Sequence, residues 1–197
     1  MKVLRAGDYK RMPWKNGGGE TVEIAVFPEG AGLAEFDWRI SMATVASDGP
    51  FSVFPGIERT LSILDGTGMT LSVEGQAPVR LTQESPPLIF SADTPTSATL
   101  LDGEITDLNV MTRRSVLMHT VERFELAGEI TVEATAPTTL LFCKSGRVAV
   151  VQDGEQITLN AHDCLLTEKH KALTLSGDAL CFLVAIRRSE QSVSRII

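Results

Sequence analysis

The sequence predicts an all-β protein built from two similar antiparallel barrels. Three observations carry that reading: apolar and polar residues alternate with period two, glycine and proline punctuate the chain at short intervals, and one block repeats. At 197 residues the chain suits one or two domains, each able to bury a core without crosslinks.

The elements follow in order. Phe36, Trp38, Ile40 and Met42 share one face of a strand, with Asp37, Arg39 and Ser41 opposite. Met69, Leu71 and Val73 alternate in the same way, and Glu74-Gly75-Gln76 reads as the turn that follows. Residues 148–151, 156–159, 173–175 and 180–186 supply further short strands. Residues 115–124 are the one place where a short helix is expected, against the preference of Val116, Thr120 and Val121 for extended backbone.

The repeat starts at Thr60-Leu61-Ser62-Ile63-Leu64 and again at Thr139-Leu140-Leu141-Phe142-Cys143. Each block passes a glycine (Gly68, Gly146), a polar turn (Glu74-Gly75, Asp153-Gly154) and a corner (Pro86-Pro87, His162-Asp163). Each ends in two arginines, Arg113-Arg114 and Arg187-Arg188. The shared order predicts a first barrel over residues 1–114 and a second over 115–197, with N-terminal strands as candidates for sharing between them.

A formal net charge of -7 argues against a general grip on nucleic acid or an anionic membrane, since both need a positive surface. No stretch approaches the roughly 18 apolar residues of a spanning helix, and no signal peptide is visible, so a cytoplasmic location is expected. Cys143, Cys164 and Cys181 lack metal-like spacing and read as buried small hydrophobes. A two-fold homodimer is the default oligomer.

The first half carries the unusual chemistry. In Trp14-Lys15-Asn16-Gly17-Gly18-Gly19, side-chain-free residues can expose successive N–H groups as an anion nest, with Lys15 as a mobile charge and Asn16 as a directional amide. The same glycines equally suit a sharp turn between strands. Arg39 lies in the polar row of its strand, either as a ligand contact or as a surface residue with a wet head. Asn109, Met111 and Arg113 alternate on one face of another strand, where Arg113 either meets a ligand or pairs with an acid such as Asp107 or Glu23. Arg59 follows a semi-rigid loop anchored by Phe51, Phe54 and Ile57. Guanidinium groups offer paired donors to a carboxylate, so the expectation is that at least two of Arg39, Arg59 and Arg113 face one pocket holding a small acid.

Catalytic machinery is sparse. His119, His162 and His170 form no His-x-His or His-Glu-x-x-His pattern, and neither a metal nor another cofactor is expected. No serine or cysteine has an evident base beside it in the sequence. Glu20 and Glu23 are the acid/base candidates if the protein is an enzyme, and otherwise balance Lys15 and Arg39.

Four motifs follow in order: Met12-Pro13-Trp14-Lys15-Asn16-Gly17-Gly18-Gly19-Glu20-Thr21, Asp37-Trp38-Arg39-Ile40-Ser41, the run from Asp48 to Arg59, and Asp107-Leu108-Asn109-Val110-Met111-Thr112-Arg113. Together they resemble the HutD/Ves family. The resemblance implies a bicupin, two packed antiparallel β-barrels of the jelly-roll-like cupin type, and an association with bacterial histidine utilisation. It also implies a regulatory protein sensing an intermediate such as formylglutamate or urocanate, with a pocket of Trp14, Lys15, Asn16, Arg39, Arg59, Asn109 and Arg113. Gly17 and Gly18 join that set from the nest reading. Three classes follow in order: a non-catalytic sensor of a small carboxylate metabolite, a metal-independent enzyme using Glu20 or Glu23, and a structural partner using the outside of its barrels.

Overall fold

A computed structural model describes residues 1–14, 17–168 and 171–189. Regular structure there is extended throughout, apart from one 3-10 turn at Ala6–Asp8. The chain divides into two compact units. One is Lys10–Met118, joined by Arg188 and Ser189; the other combines Met1–Tyr9 with His119–Arg187. Relative to a division at 114/115, the first nine residues belong with the C-terminal half, because β1 (Lys2–Leu4) pairs with β15 (Cys164–Thr167).

In the Lys10–Met118 unit, six strands form a sheet in the order β2-β3-β4-β11-β6-β9. These are β2 (Lys10–Pro13), β3 (Gly19–Phe27), β4 (Trp38–Val45), β6 (Ile57–Asp65), β9 (Leu88–Ser91) and β11 (Ile105–Arg113). A second sheet runs β5-β10-β7-β8, from β5 (Gly49–Pro50), β7 (Met69–Val73), β8 (Val79–Leu81) and β10 (Thr96–Leu100). Val45, Leu61, Ile63, Phe90 and Ile105 of the larger sheet pack on Met69, Leu71 and Ala98 of the smaller one. The other face of β4, with Trp38, Ile40 and Met42, is buried too, so both sides of this strand exclude water.

The second unit has one sheet in the order β1-β15-β13-β16-β12, with β14 (Glu155–Asn160) also on β13. β12 spans Leu117–Glu133, β13 Thr138–Gln152 and β16 Ala172–Arg188. Its core includes Leu141, Val148, Val150, Leu173 and Leu175 together with Cys143 and Cys181, which face each other across β13 and β16 as free thiols. The repeat is visible in the strand orders: β4-β11-β6-β9 in one unit matches β12-β16-β13-β15 in the other. Gly68 and Gly146 both have positive φ, and a Cβ on either would sit 2.1 Å from a carbonyl oxygen of another strand, Leu81 of β8 for the first and Asp178 of β16 for the second.

The expected all-β arrangement is present, and among the described residues no sheet closes on itself. One expectation needs correction. The helix expected at residues 115–124 is instead the start of β12. Leu117, His119 and Val121 are less exposed than Met118, Thr120 and Glu122 between them, and hydrogen bonding to β16 supplies the partner that a local reading lacks.

Candidate functional site

The polar alternation of β4 and β11 converges on the inner face of the six-stranded sheet. Residues paired across an antiparallel ladder point the same way, so the registers define three rows. Arg39, Met111, Arg59 and Phe90 form one; Ser41, Asn109 and Leu61 the next; Thr21, Ala43, Asp107 and Ile63 the third. Leu61, Ile63 and Phe90 belong to the core against the smaller sheet, so the polar members of these rows face inward as well.

Arg39 is 5% exposed, and its Nε donates to Glu23 Oε2 at 2.7 Å. Its Nη1 lies 3.5 Å from Ser41 Oγ. Arg59, 8% exposed, has no such partner: its Nε and Nη1 make no hydrogen bond. The Phe51 and Phe54 rings lie against its guanidinium, with centroids 4.9 and 5.8 Å from Cζ. Burial lowers its pKa to about 10, Asp107 opposing the shift and Arg39 adding to it, which leaves Arg59 a cation at neutral pH.

Asp107 is fully buried and Asn109 is 2% exposed. Asn109 Nδ2 donates to Asp107 Oδ1 at 2.5 Å, while Asp107 Oδ2 and Asn109 Oδ1 have no partner. Burial pushes the Asp107 carboxyl up to about 7, against the lowering influence of Arg59, Asn109 and the Ala43 backbone. Both members of the Arg59–Asp107 pair therefore shift toward neutrality, as expected when desolvation outweighs an attraction not closed by a hydrogen bond.

The glycine run answers to the backbone. Gly17 N–H donates to Trp14 O at 3.0 Å and Trp14 N–H to Gly19 O at 2.9 Å, closing the connection between β2 and β3. Gly17 has φ +70, and Gly18 O accepts from Ala46 N. A Cβ on Gly19 would lie 2.0 Å from Thr44 O and 3.1 Å from the Trp14 ring. The Gly17 amide is thus engaged inside the turn instead of being offered to an anion. Trp14 Nε1 donates to Thr21 Oγ1 at 2.8 Å, and its ring packs at the edge of the core. Lys15 and Asn16 lie outside the described residues.

Arg113 is engaged by its own protein. Its Nη2 donates to Phe36 O at 2.8 Å and Ala34 O at 3.2 Å, and its Nε lies 3.5 Å from Asp37 Oδ1. It fastens the segment before β4 to the end of β11. Glu20 is held by Arg11 at 2.7 Å. Of the residues named from sequence, the structure gathers Arg39, Arg59 and Asn109, brings Trp14 to the margin through Thr21, and ties Arg113 to main-chain oxygens and Asp37. Asp107 and Phe51 are the members that sequence reasoning left out of the site. The signal for Asp107 was its place two residues before Asn109 on the same face.

A cavity of about 480 Å³ lies outside Phe51, lined also by Val53, Val73, Glu74, Gln76 and Thr96. Phe51 therefore touches both this cavity and the Arg59 guanidinium. Among the described residues no three His, Cys, Asp or Glu side chains come together as a metal-binding group. Among the described residues no helix is long and apolar enough to cross a membrane.

The comparisons with known proteins agree with one another. An uncharacterised 21.2 kDa protein of Pseudomonas putida, from the hutC 3' region, is 38% identical over 174 residues, 88% of this chain and 90% of that protein. A crystal structure of a conserved Pseudomonas aeruginosa protein has a TM-score of 0.88 at 38% identity, covering 94% of this chain and 98% of that one. The structure of HutD from Pseudomonas fluorescens gives 0.81 at 34% identity, covering 95% and 98%. The all-β, cupin-like arrangement is common to them. Residues 6–185 match the family model for HutD, and the chain belongs to the HutD family.

Proposed function

We propose that this protein is a non-catalytic binding protein of histidine utilisation that holds a small carboxylate metabolite, such as formylglutamate or urocanate, inside the Lys10–Met118 unit. Membership of the HutD family supports the pathway, and the inner face of the six-stranded sheet supports the chemistry. The observation that carries the reading is Arg59, a buried cation with two N–H-bearing atoms left without partners. A buried charge lacking hydrogen bonds is costly, and a carboxylate supplies both the opposite charge and the acceptors.

Arg39 is already neutralised by Glu23, and Arg113 is engaged with main-chain oxygens and Asp37. Of the three arginines, Arg59 is therefore the one that offers open donors, and it anchors one carboxylate. The Asn109 side chain and the Trp14–Thr21 contact border the same face. The enzymatic alternative gains nothing from the geometry, because Glu20 and Glu23 are each held by an arginine.

Isothermal titration of the wild-type protein and of Arg59→Met with N-formylglutamate and urocanate tests the reading. Binding of one of these acids by wild type, weakened about tenfold or more in the variant, is the expected result for loss of a charge-assisted contact. Equal affinity in both proteins would remove Arg59 from the site.

A further inference from the structure

The unpartnered atoms on the inner face are of two kinds. Arg59 Nε and Nη1 are donors, whereas Asp107 Oδ2 and Asn109 Oδ1 are acceptors, and all four are buried. A simple carboxylate satisfies the first kind and leaves the second dry. We propose that Asp107 and Asn109 form an acceptor subsite for an N–H group of the ligand, so that the protein selects acids carrying an amide, imidazole or ammonium nitrogen over acids that lack one. This inference rests on the reading of Arg59 as the carboxylate anchor and adds the chemistry of the ligand's other end.

The orientation of Asn109 is determined by its neighbour. Its Nδ2 donates to Asp107 Oδ1, and the reversed amide would set an oxygen against a carboxylate oxygen. Oδ1 must therefore point elsewhere, as an acceptor. Asp107 uses Oδ1 for the same bond and retains Oδ2. The two residues are i and i+2 on β11, so their side chains project from one face, the face that also carries Arg59 from β6. Asp107 and Arg59 attract each other, yet Arg59 Nε and Nη1 and Asp107 Oδ2 make no hydrogen bond, so one molecule accepting from Arg59 and donating to Asp107 satisfies both groups. The burial that favours the neutral acid at Asp107 is offset when a ligand donor meets the carboxylate, because hydrogen bonding to the charged form stabilises it.

Two pairs of isosteric probes test the subsite by calorimetry. N-formylglutamate is compared with 2-(formyloxy)glutarate, in which an ester oxygen replaces the amide N–H, and urocanate with 3-(furan-3-yl)acrylate, which has no ring N–H. The expected result is that the nitrogen member of at least one pair binds wild type about tenfold or more tighter, since a site built to accept a hydrogen rejects an analogue lacking it. In Asp107→Asn that ratio falls to about threefold or less, whereas Arg59→Met weakens both members together. Equal binding of both members to wild type overturns the acceptor subsite and leaves the carboxylate anchor standing. Binding of no probe overturns both, and a ratio undiminished in Asp107→Asn overturns the assignment to Asp107. Should Asp107→Asn fail to fold, the wild-type ratio decides the proposal by itself.

Discussion

Arg39 and Arg59 stand on opposite sides of Met111, on the two strands that flank β11, and only Arg39 is closed by a carboxylate, through the 2.7 Å contact to Glu23. Two cations of the same sheet row thus play different parts: one holds the wall together, and the other is available.

Stability should separate these parts. Arg39→Met strands the partly buried Glu23 carboxylate and is expected to lower unfolding free energy by about 2 kcal/mol, less than a fully buried pair would show because Glu23 keeps some solvent. Arg59→Met removes a cation lacking hydrogen bonds and replaces it with a flexible apolar side chain beside Phe51 and Phe54. It should change stability by less than about 1 kcal/mol, or raise it. Urea denaturation of both ligand-free variants distinguishes the two.

The Asp107 carboxyl predicts a pH dependence. Its folded-state value is raised from 3.8 to about 7, so the folded protein holds the proton over a range where the unfolded chain has released it. The resulting stabilisation is complete below the unfolded value and disappears as pH rises to and through about 7. The groups acting on it are Arg59 from β6, Asn109 from β11 and the Ala43 backbone from β4. Between pH 5 and pH 8, the melting temperature of Asp107→Asn should move upward relative to wild type. A constant difference across that range would show that Asp107 does not change its proton there.

At the glycine turn, the size of a methyl group decides. Gly19→Ala places a Cβ 2.0 Å from Thr44 O and should cost about 3 kcal/mol or more, because β3 must shift from β4. Gly17→Ala meets no atom within 4 Å but occupies φ +70, so its cost should be about 1 kcal/mol. Chemical denaturation of the two single variants gives the comparison; equal costs would contradict the close approach at Gly19.

Arg113→Met removes donors to the Phe36 and Ala34 carbonyls. A loss of about 1–2 kcal/mol in stability is expected, with ligand affinity of the folded variant unchanged within about twofold. An affinity loss as large as that of Arg59→Met would return Arg113 to the binding site.

Much of this was readable from local pattern. Alternation at Phe36 to Met42 and at Asn109 to Arg113 announced strands, and glycines at 68 and 146 marked positive-φ positions in the two blocks. These features depend on nearest neighbours along the chain and on the period of two that extended backbone imposes. Residues 115–124 were misread because strand formation there depends on β16, more than 50 residues away.

What the sequence alone determined is the all-β character, the duplication, and a set of arginines and amides near strand ends. Tertiary structure decided which of them share a surface and which already have partners. Strand register places Arg59 beside Met111 and faces it inward, while the path of the chain before β4 brings the Ala34 and Phe36 carbonyls to Arg113. A side chain's charge is written in the sequence, but its desolvation and hydrogen-bond partners are set by residues distant along the chain, and those decide whether it binds a ligand or its own protein.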